Sequence, residues 1–289
     1  MGQDAKRLKI AITGGNGFIG TNLIERLVNE GHEVHSLDNL ATGYKENEIK
    51  GCTYHYFDIE KISMWNGEDI DLCFHLAGLS RIQPSFEDPT ETFRVNTAGC
   101  QTVAEWARLY NIKIVYAGSS SKHHNPYQSP YACCKYLGEE IFKMYRHTYD
   151  MDIEIARFYN VYGPKEPIDG DWAAVTGIWR RQIRDKQPLT IVGDGKQRRD
   201  FTHVDDIVHA LIKIGLENNK HEDAWELGTG INYSINEVAQ MFVQRFKCRI
   251  KHIPDQKGNY RETLRENNDS VELLGWSPKD KLKDYILNL

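Results

Sequence analysis

Leu8-Lys9-Ile10-Ala11-Ile12-Thr13-Gly14-Gly15-Asn16-Gly17-Phe18-Ile19-Gly20 is the stretch whose reading decides the fold. Residues 8–13 form a short apolar run with β-branched side chains, as a buried strand does. Gly14, Gly17 and Gly20 then follow in a G-x-x-G-x-x-G spacing. Behind them Ile19, Leu23, Ile24, Leu27 and Val28 recur with a helical period, and Gly31 stands where a C-cap is expected. Strand, glycine turn and helix in this order make an anion cradle. Glycine accepts positive φ, and the missing side chains let a pyrophosphate approach the helix N-terminus, where N–H donors and the dipole favour negative charge. The next apolar run, residues 33–37, ends at Asp38. An acid there accepts hydrogen bonds from ribose hydroxyls and repels a 2′-phosphate, so the expected cofactor is NAD rather than NADP.

Further along, residues 52–57, 71–76, 112–117 and 153–158 read as strands, and residues 90–109 as a helix. Pro130 stands near the start of a long helix carrying Tyr131, Lys135 and Glu139. Alternating strands and helices mean βαβ units and a parallel sheet, with ligands at the C-terminal ends of the strands. After Pro164 the pattern loosens. Residues 165–203 are loop-rich, with a helix around 173–185 and a strand around 189–192. Residues 204–217 form a helix returning toward the sheet, and 224–289 mix short elements. The expected fold class is α/β, a Rossmann-type doubly wound parallel sheet with a smaller, discontinuous C-terminal substrate lobe. The sheet domain takes residues 1–163 with a return segment at 201–220; the lobe takes 164–200 and 221–289.

A formal charge of -5 argues against a general nucleic-acid binder, which needs a basic face. No apolar run approaches the roughly 18 residues of a membrane span. The N-terminus runs directly into the first strand, so no signal peptide is expected. Gly2 is not followed by the Ser or Thr that myristoylation prefers, since Lys6 and Arg7 stand there. Six cysteines, at 52, 73, 100, 133, 134 and 248, include no C-x-x-C pair, so reduced, mostly buried thiols, no metal and a cytoplasmic location are expected.

Tyr131 and Lys135 are four residues apart and share a helix face. A free phenol, titrating near about 10, is a weak base at neutral pH. A neighbouring ammonium and the positive nicotinamide both stabilise the phenolate. Such a tyrosine can take a hydroxyl proton while the same carbon is oxidised. Ser119 ends the run Ile114-Val115-Tyr116-Ala117 and is placed to hold the substrate oxygen beside the tyrosine; Ser120 and Ser121 are its neighbours. His123 and His124 have no carboxylate or third ligand near them in sequence and read as loop residues.

Read together, these segments resemble the extended short-chain dehydrogenase/reductases, specifically the NAD-dependent nucleotide-sugar epimerase/dehydratase family with UDP-glucose 4-epimerase-like character. The resemblance spans nearly the whole chain: TGGNGFIG at 13–20, LDNLATG at 37–43, FDIE at 57–60, HLAG at 75–78, EDPTETFRVNTAG at 87–99, SPYACCK at 129–135, ARFYNVYGP at 156–164, PLTIVGDGKQRRDFTHVDD at 188–206 and ELLGWSP at 272–278. It implies an enzyme with Ser119, Tyr131 and Lys135 as catalytic residues. For the cofactor it implies Gly14, Gly17, Phe18, Ile19, Asp38, Asn39, Asp58, Ile59, Leu76, Ala77, Gly78, Asn96, Lys135 and Phe158, with Asp58 and Ile59 at the adenine and Phe158 near the nicotinamide. For the sugar nucleotide it implies Ser80, Ser85, Ser120 and Asn160, the main chain from Leu189 to Val192 around the base, and Arg199 at the diphosphate, a task suited to a planar fixed cation.

The chain also departs from that pattern. Ser119 and Tyr131 are only twelve positions apart, where the family has a distinctly longer segment over the sugar, so the site is either more open or completed by another segment. The family's Arg-x-Gly-Asp clamp is replaced by Gln256-Lys257-Gly258-Asn259, with Arg261 as the substitute cation. Dehydratases and decarboxylases of the family place an acid just after the catalytic hydroxyl; here Ser120, Ser121 and Lys122 stand there. That favours a 4-epimerase working through a transient 4-keto sugar, on UDP-hexose or UDP-N-acetylhexosamine. Thr263, where family members differ in bulk, leaves room for an N-acetyl group. The alternatives are an NAD(P)-dependent 4-keto nucleotide-sugar reductase, a nucleotide-sugar dehydratase and a non-enzymatic dinucleotide-binding module. The family implies a homodimer through the helices near 90–109 and 131–148. Val103, Trp106, Leu109, Phe142 and Tyr145 are either its face or intrachain core.

Overall fold

The computed structural model describes residues 7–289, and the N-terminal readings at Gly2 and Lys6 lie outside the described residues. The first half runs β1 (Lys9–Thr13), α1 (Phe18–Asn29), β2 (Glu33–Asp38), β3 (Cys52–Tyr56), β4 (Leu72–His75), α2 (Ile82–Glu87), α3 (Pro89–Phe93), α4 (Gly99–Tyr110), β5 (Lys113–Ser119), α5 (Pro130–Tyr149) and β6 (Ile153–Phe158). Then come β7 (Asn160–Tyr162), α6 (Val175–Arg184), β8 (Leu189–Val192), β9 (Arg198–His203), α7 (Val204–Leu216) and β10 (Trp225–Leu227). The chain ends with β11 (Asn232–Ser234), α8 (Ile235–Phe246), β12 (Ile250–Ile253), α9 (Asp269–Glu272) and α10 (Leu282–Leu287).

Seven parallel strands form the main sheet in the order β10-β6-β5-β4-β1-β2-β3. The order reverses between β1 and β4, and a crevice opens beyond their C-terminal ends at such a switch point. Alternate strand residues feed opposite faces. Ile10, Ile12, Val34 and Phe74 pack with residues of α1 and α7, while Ala11, Leu37 and Cys73 pack with α4 and α5. Each large apolar side chain so buried contributes about 1.5–3 kcal/mol. Trp276, from the ELLGWSP stretch, is buried in the first of these clusters and donates its indole N–H to Asp206 O at 2.8 Å, fastening the C-terminal segment to α7.

The sequence and the structure differ at three places. The helix expected over 90–109 is α3 and α4 joined by a widened π turn at Arg94–Ala98, and that turn carries Asn96. β7 and β9 had no apolar signature; β9 opens Arg198-Arg199-Asp200, and its strand form comes from pairing with β7 and β11 in a three-stranded sheet. The return to the main sheet runs past residue 220, because β10 pairs with β6. Outside the main sheet, β8 pairs with β12, and Trp179, Leu189, Ile191, Phe201, Phe242, Leu282 and Ile286 build a separate core.

Close approach of α5 to β5 sets the position of the Tyr131 helix. A Cβ on Gly138 would stand 2.4 Å from the Tyr116 hydroxyl, so any larger residue there pushes the helix off the sheet. Behind this contact a buried ion network ties the same helix down. Arg157 of β6 donates to Glu139 at 2.8 Å and to Glu226 at 2.8 Å, and also pairs with Asp223. Glu226 also accepts the Tyr159 hydroxyl at 2.7 Å and lies 2.9 Å from His123 Nε2.

Candidate active site

One cavity of about 770 Å³ extends from the glycine turn across the ends of β4, β5 and β6 to the C-terminal lobe. It is large for a small-molecule site, at the upper part of the usual range of about 300–1,000 Å³.

At one end lies the glycine turn. Gly14 has φ +71, and a Cβ on it would meet Ala77 N at 2.8 Å; a Cβ on Gly20 would meet Gly14 O at 2.3 Å. The loops after β1 and β4 therefore touch without side chains between them. Thr13 Oγ1 binds them further, accepting Ala77 N–H at 3.2 Å and lying 2.7 Å from His75 Nδ1. Gly17 caps α1, and Phe18, Ile19 and Gly20 line the cavity with the first N–H groups of that helix, which have no intrahelical acceptors. Asp38 ends β2 beside them. Its carboxylate accepts Leu40 N–H at 2.7 Å and Asn16 N–H at 3.0 Å, keeping acceptor capacity for a ligand. Burial raises its pKa, against the backbone donors. Asp58 caps the turn after β3 and is held by Arg94 through two bonds of 2.9 and 3.0 Å and by Asn39 at 3.0 Å. The Arg94 hydrogen bonds bring its pKa down to about 2. Asn39, Asp58, Ile59, Leu76, Ala77, Gly78 and Phe158 all line the cavity. Asn96 does not. Its amide bridges both polar groups of Leu79, accepting N–H at 2.7 Å and donating to the carbonyl at 2.8 Å, so it shapes the loop behind the cavity wall.

In the middle stand the three residues expected to move a proton. Ser129 caps α5, accepting Ala132 N–H at 3.1 Å, and Pro130 opens the first turn. Tyr131 therefore has an unused N–H, which donates to Ser85 Oγ at 3.1 Å. Its hydroxyl lies 3.3 Å from Ser119 Oγ at the end of β5. One turn later, Lys135 Nζ donates to Ala117 O at 2.8 Å, which holds the ammonium against the strand end. Ser119, rather than Ser120 or Ser121, is thus the tyrosine's partner, and all three serines line the cavity.

The far end collects Ser80, Asn160, Val192, Arg199 and Thr263. Asn160 donates to Asp200 O at 3.1 Å and to Thr263 Oγ1 at 3.2 Å. Arg199 donates to Arg198 O at 2.8 Å, and among the described residues it has no carboxylate partner. Burial lowers its pKa to about 10, the mark of a cation short of an anion. Three expected residues are placed elsewhere. Ser85 is 2% exposed and off the cavity wall; its hydroxyl donates to Ile82 O at 2.6 Å and holds Tyr131 N–H. The Leu189 side chain faces the lobe core, because strand alternation turns Thr190 and Val192, not Leu189 and Ile191, to the cavity; the role expected of Leu189 is one of main chain. Arg261 pairs with Asp194 at 2.9 Å on the surface and does not reach the cavity.

The cavity also holds residues the sequence reading missed: Arg81, Arg181 and Tyr260. Tyr260 stacks on His124, a residue of the short Ser119–Tyr131 segment, with ring centroids 4.0 Å apart. Its hydroxyl and Ser121 Oγ are buried with no hydrogen-bond partner among the described residues. Arg81 had a usable signal, a cation just past a strand end; Tyr260 had none. His123 is not a free loop residue but belongs to the Arg157 network, and no cluster of described residues suits a metal ion.

Residues 10–228 match the model of the NAD dependent epimerase/dehydratase family. The UDP-glucose 4-epimerase of Mycolicibacterium smegmatis is 30% identical over 96% of each chain. Among solved structures, an epimerase of Methanothermobacter thermautotrophicus superposes with a TM-score of 0.91 at 27% identity, covering 98% of this chain and 90% of that one. The UDP-N-acetylglucosamine 4-epimerase of Methanobrevibacter ruminantium, in complex with UDP-N-acetylmuramic acid, superposes with a TM-score of 0.87 at 25% identity, covering 98% and 96%.

Proposed function

The chain belongs to the NAD-dependent epimerase/dehydratase family, and on that basis we propose that it inverts C4 of a UDP-hexose or UDP-N-acetylhexosamine. The observation that carries this reading is the Tyr131 hydroxyl 3.3 Å from Ser119 Oγ, with hydroxyl side chains and no acid at positions 120 and 121. Elimination of water needs an acid–base group beside that serine; reversible oxidation of an alcohol does not.

The glycine cradle, the open end of α1 and Asp38 fit an adenine dinucleotide. Bound NAD supplies a ring that takes hydride from C4 and returns it. The residues of this chain manage everything else. Ser119 holds O4, and Tyr131 accepts the O4 proton as the carbon is oxidised, then returns it when the 4-keto sugar has presented its other face. Lys135, pinned to Ala117 O, keeps a positive charge beside that exchange. Arg199 meets the diphosphate, Asn160 a sugar or phosphate oxygen, and Thr190 with Val192 the base. In this reading the sheet domain, 1–163 with a return through 227, carries the cofactor, and 164–200 with 228–289 carries the sugar nucleotide.

Product NMR tests the proposal. UDP-glucose should yield the galacto epimer with no net NADH. Stoichiometric NADH, or a released 4-keto or unsaturated sugar, would replace the epimerase with a reductase or dehydratase. Thr263 leaves room for an acetamido group, so UDP-N-acetylglucosamine should also react; its inertness beside active UDP-glucose would refute the size argument.

A homodimer and a cytoplasmic location complete the proposal. Val103, Trp106, Phe142 and Tyr145 are intrachain core, at most 5% exposed, whereas Leu109 on α4 is 63% exposed and supports a helical dimer face. Light scattering and cell fractionation test the two points. The six unpaired thiols support a reducing compartment.

A further inference from the structure

Arg81 stands at the start of α2, just beyond the end of β4, and lines the cavity. Its Nε donates to Trp172 O at 2.9 Å and its NH1 to Ser80 O at 3.1 Å. Both acceptors are carbonyls, which fix the plane of the guanidinium without neutralising it. Two donors are so engaged, leaving three of the five a guanidinium carries. Among the described residues no carboxylate pairs with it. Glu166, whose charge Arg81 feels, is occupied by Thr176 at 2.7 Å and Arg180 at 3.1 Å. Burial lowers the pKa of Arg81, as it does for Arg199. A half-buried cation without an anion has donors to spare, and a cavity wall is where a ligand can supply the partner.

Three arginines that line the cavity have no carboxylate partner among the described residues: Arg81, Arg199 and Arg181, whose one hydrogen bond goes to Gly170 O at 3.5 Å. Arg199 is on β9 and feels Tyr260; Arg81 precedes the helix whose Ser85 holds Tyr131, and it feels Tyr131. A sugar bound through its C1 diphosphate to Arg199, with C4 at Tyr131, can bear a second negative charge on either side of C4: as an ether substituent on O3, or at the exocyclic carbon on C5, which belongs to the hexose skeleton itself. A hydroxymethyl group there would leave Arg81 unpaired. A carboxylate would meet the guanidinium in the geometry it binds best.

We propose that Arg81 recognises a C6 carboxylate, so that the preferred substrate is a nucleotide-linked hexuronate rather than a neutral hexose; the assignment rests on the nucleotide-sugar reading of the cavity.

UDP-glucuronate and UDP-glucose share the nucleotide and diphosphate and differ only at C6. With the NAD-loaded protein, kcat/KM should favour UDP-glucuronate by about 10- to 100-fold, the range expected for one charge-assisted pair. Arg81→Met should erase that ratio, and Arg81→Lys should restore part of it. Retained NAD and an unshifted melting temperature report that the variants are folded; if Arg81→Met fails this check, the Lys variant and the wild-type ratio decide. A wild-type preference for UDP-glucose overturns the proposal. So does an equal loss for both sugars together with weakened UDP binding by calorimetry, which would put Arg81 on the diphosphate. Calorimetry also separates the two readings. An Arg81-dependent preference for the uronate without C4 inversion keeps this assignment and removes the epimerase. Turnover of UDP-glucose with no binding of the uronate does the reverse.

Discussion

The two ends of the cavity are built on opposite plans. At the cofactor end the polar side chains are already partnered: Asp38 by two backbone N–H groups, Asp58 by Arg94 and Asn39. At the sugar end Arg81, Arg199, Tyr260 and Ser121 have donors or hydroxyls left open. A site made of satisfied groups and bare backbone keeps its form whether or not it is filled. A site of unsatisfied groups is stabilised by its ligand, and it can change ligand by changing one side chain.

The largest test of this contrast lies where the two ends meet. Tyr131→Phe should lower kcat by about 10²–10⁴-fold, the usual weight of a proton-transfer group, with NAD content and sugar-nucleotide affinity retained. Unchanged turnover would remove Tyr131 from the mechanism. Arg199→Met should raise KM for the nucleotide sugar by about 10- to 100-fold while NAD stays bound. Loss of NAD as well would mean that the two ends are not independent. Gly20→Ala attacks the other plan, since its Cβ would stand 2.3 Å from Gly14 O. A strain of about 1–3 kcal/mol is expected, visible as a lower melting temperature and incomplete NAD occupancy.

Smaller effects sharpen the contrast. Tyr260→Phe removes a buried hydroxyl that has no partner. The ligand-free protein should melt no lower than wild type, yet bind the sugar nucleotide about 2- to 10-fold more weakly. Equal affinity would show that the hydroxyl meets no ligand. The smallest effect concerns His123, whose pKa is raised chiefly by its hydrogen bond to Glu226. A group with a raised folded pKa stabilises fully below its unfolded value and loses that contribution as pH rises through the folded one. The stability lead of wild type over His123→Gln, on the order of 2 °C in Tm, should therefore be present at pH 5.5 and vanish by pH 9. A lead that grows with pH would reverse the assignment.

The cofactor end was the legible one because its determinants are local. Four glycines within seven residues and an acid at a strand end are a pattern, and so are Tyr131 and Lys135 one helical turn apart. What the sequence does not carry is direction. Asn96 and Ser85 are polar residues beside the site in the chain, yet both turn their side chains onto backbone and hold other residues in place. Leu189 was separable from Val192 only by the two-residue alternation of β8. β9 escaped because Arg198-Arg199-Asp200 has no apolar alternation; neighbouring strands make it a strand. Tyr260 reaches the cavity through packing of the lobe, which no local spacing encodes.

The short path from Ser119 to Tyr131, twelve residues along the chain, bears on the order in which the site comes together. Loop-closure entropy grows with length, and a segment twice as long would cost about 0.6 kcal/mol more to close. The Ser119–Tyr131 contact is also local beside those that bring in Arg199 or Tyr260, and local contacts form fastest. Asn160 and Thr263, by comparison, meet across 103 residues. During folding, then, the proton-transfer pair can be in place while the walls that will choose its sugar are still arriving.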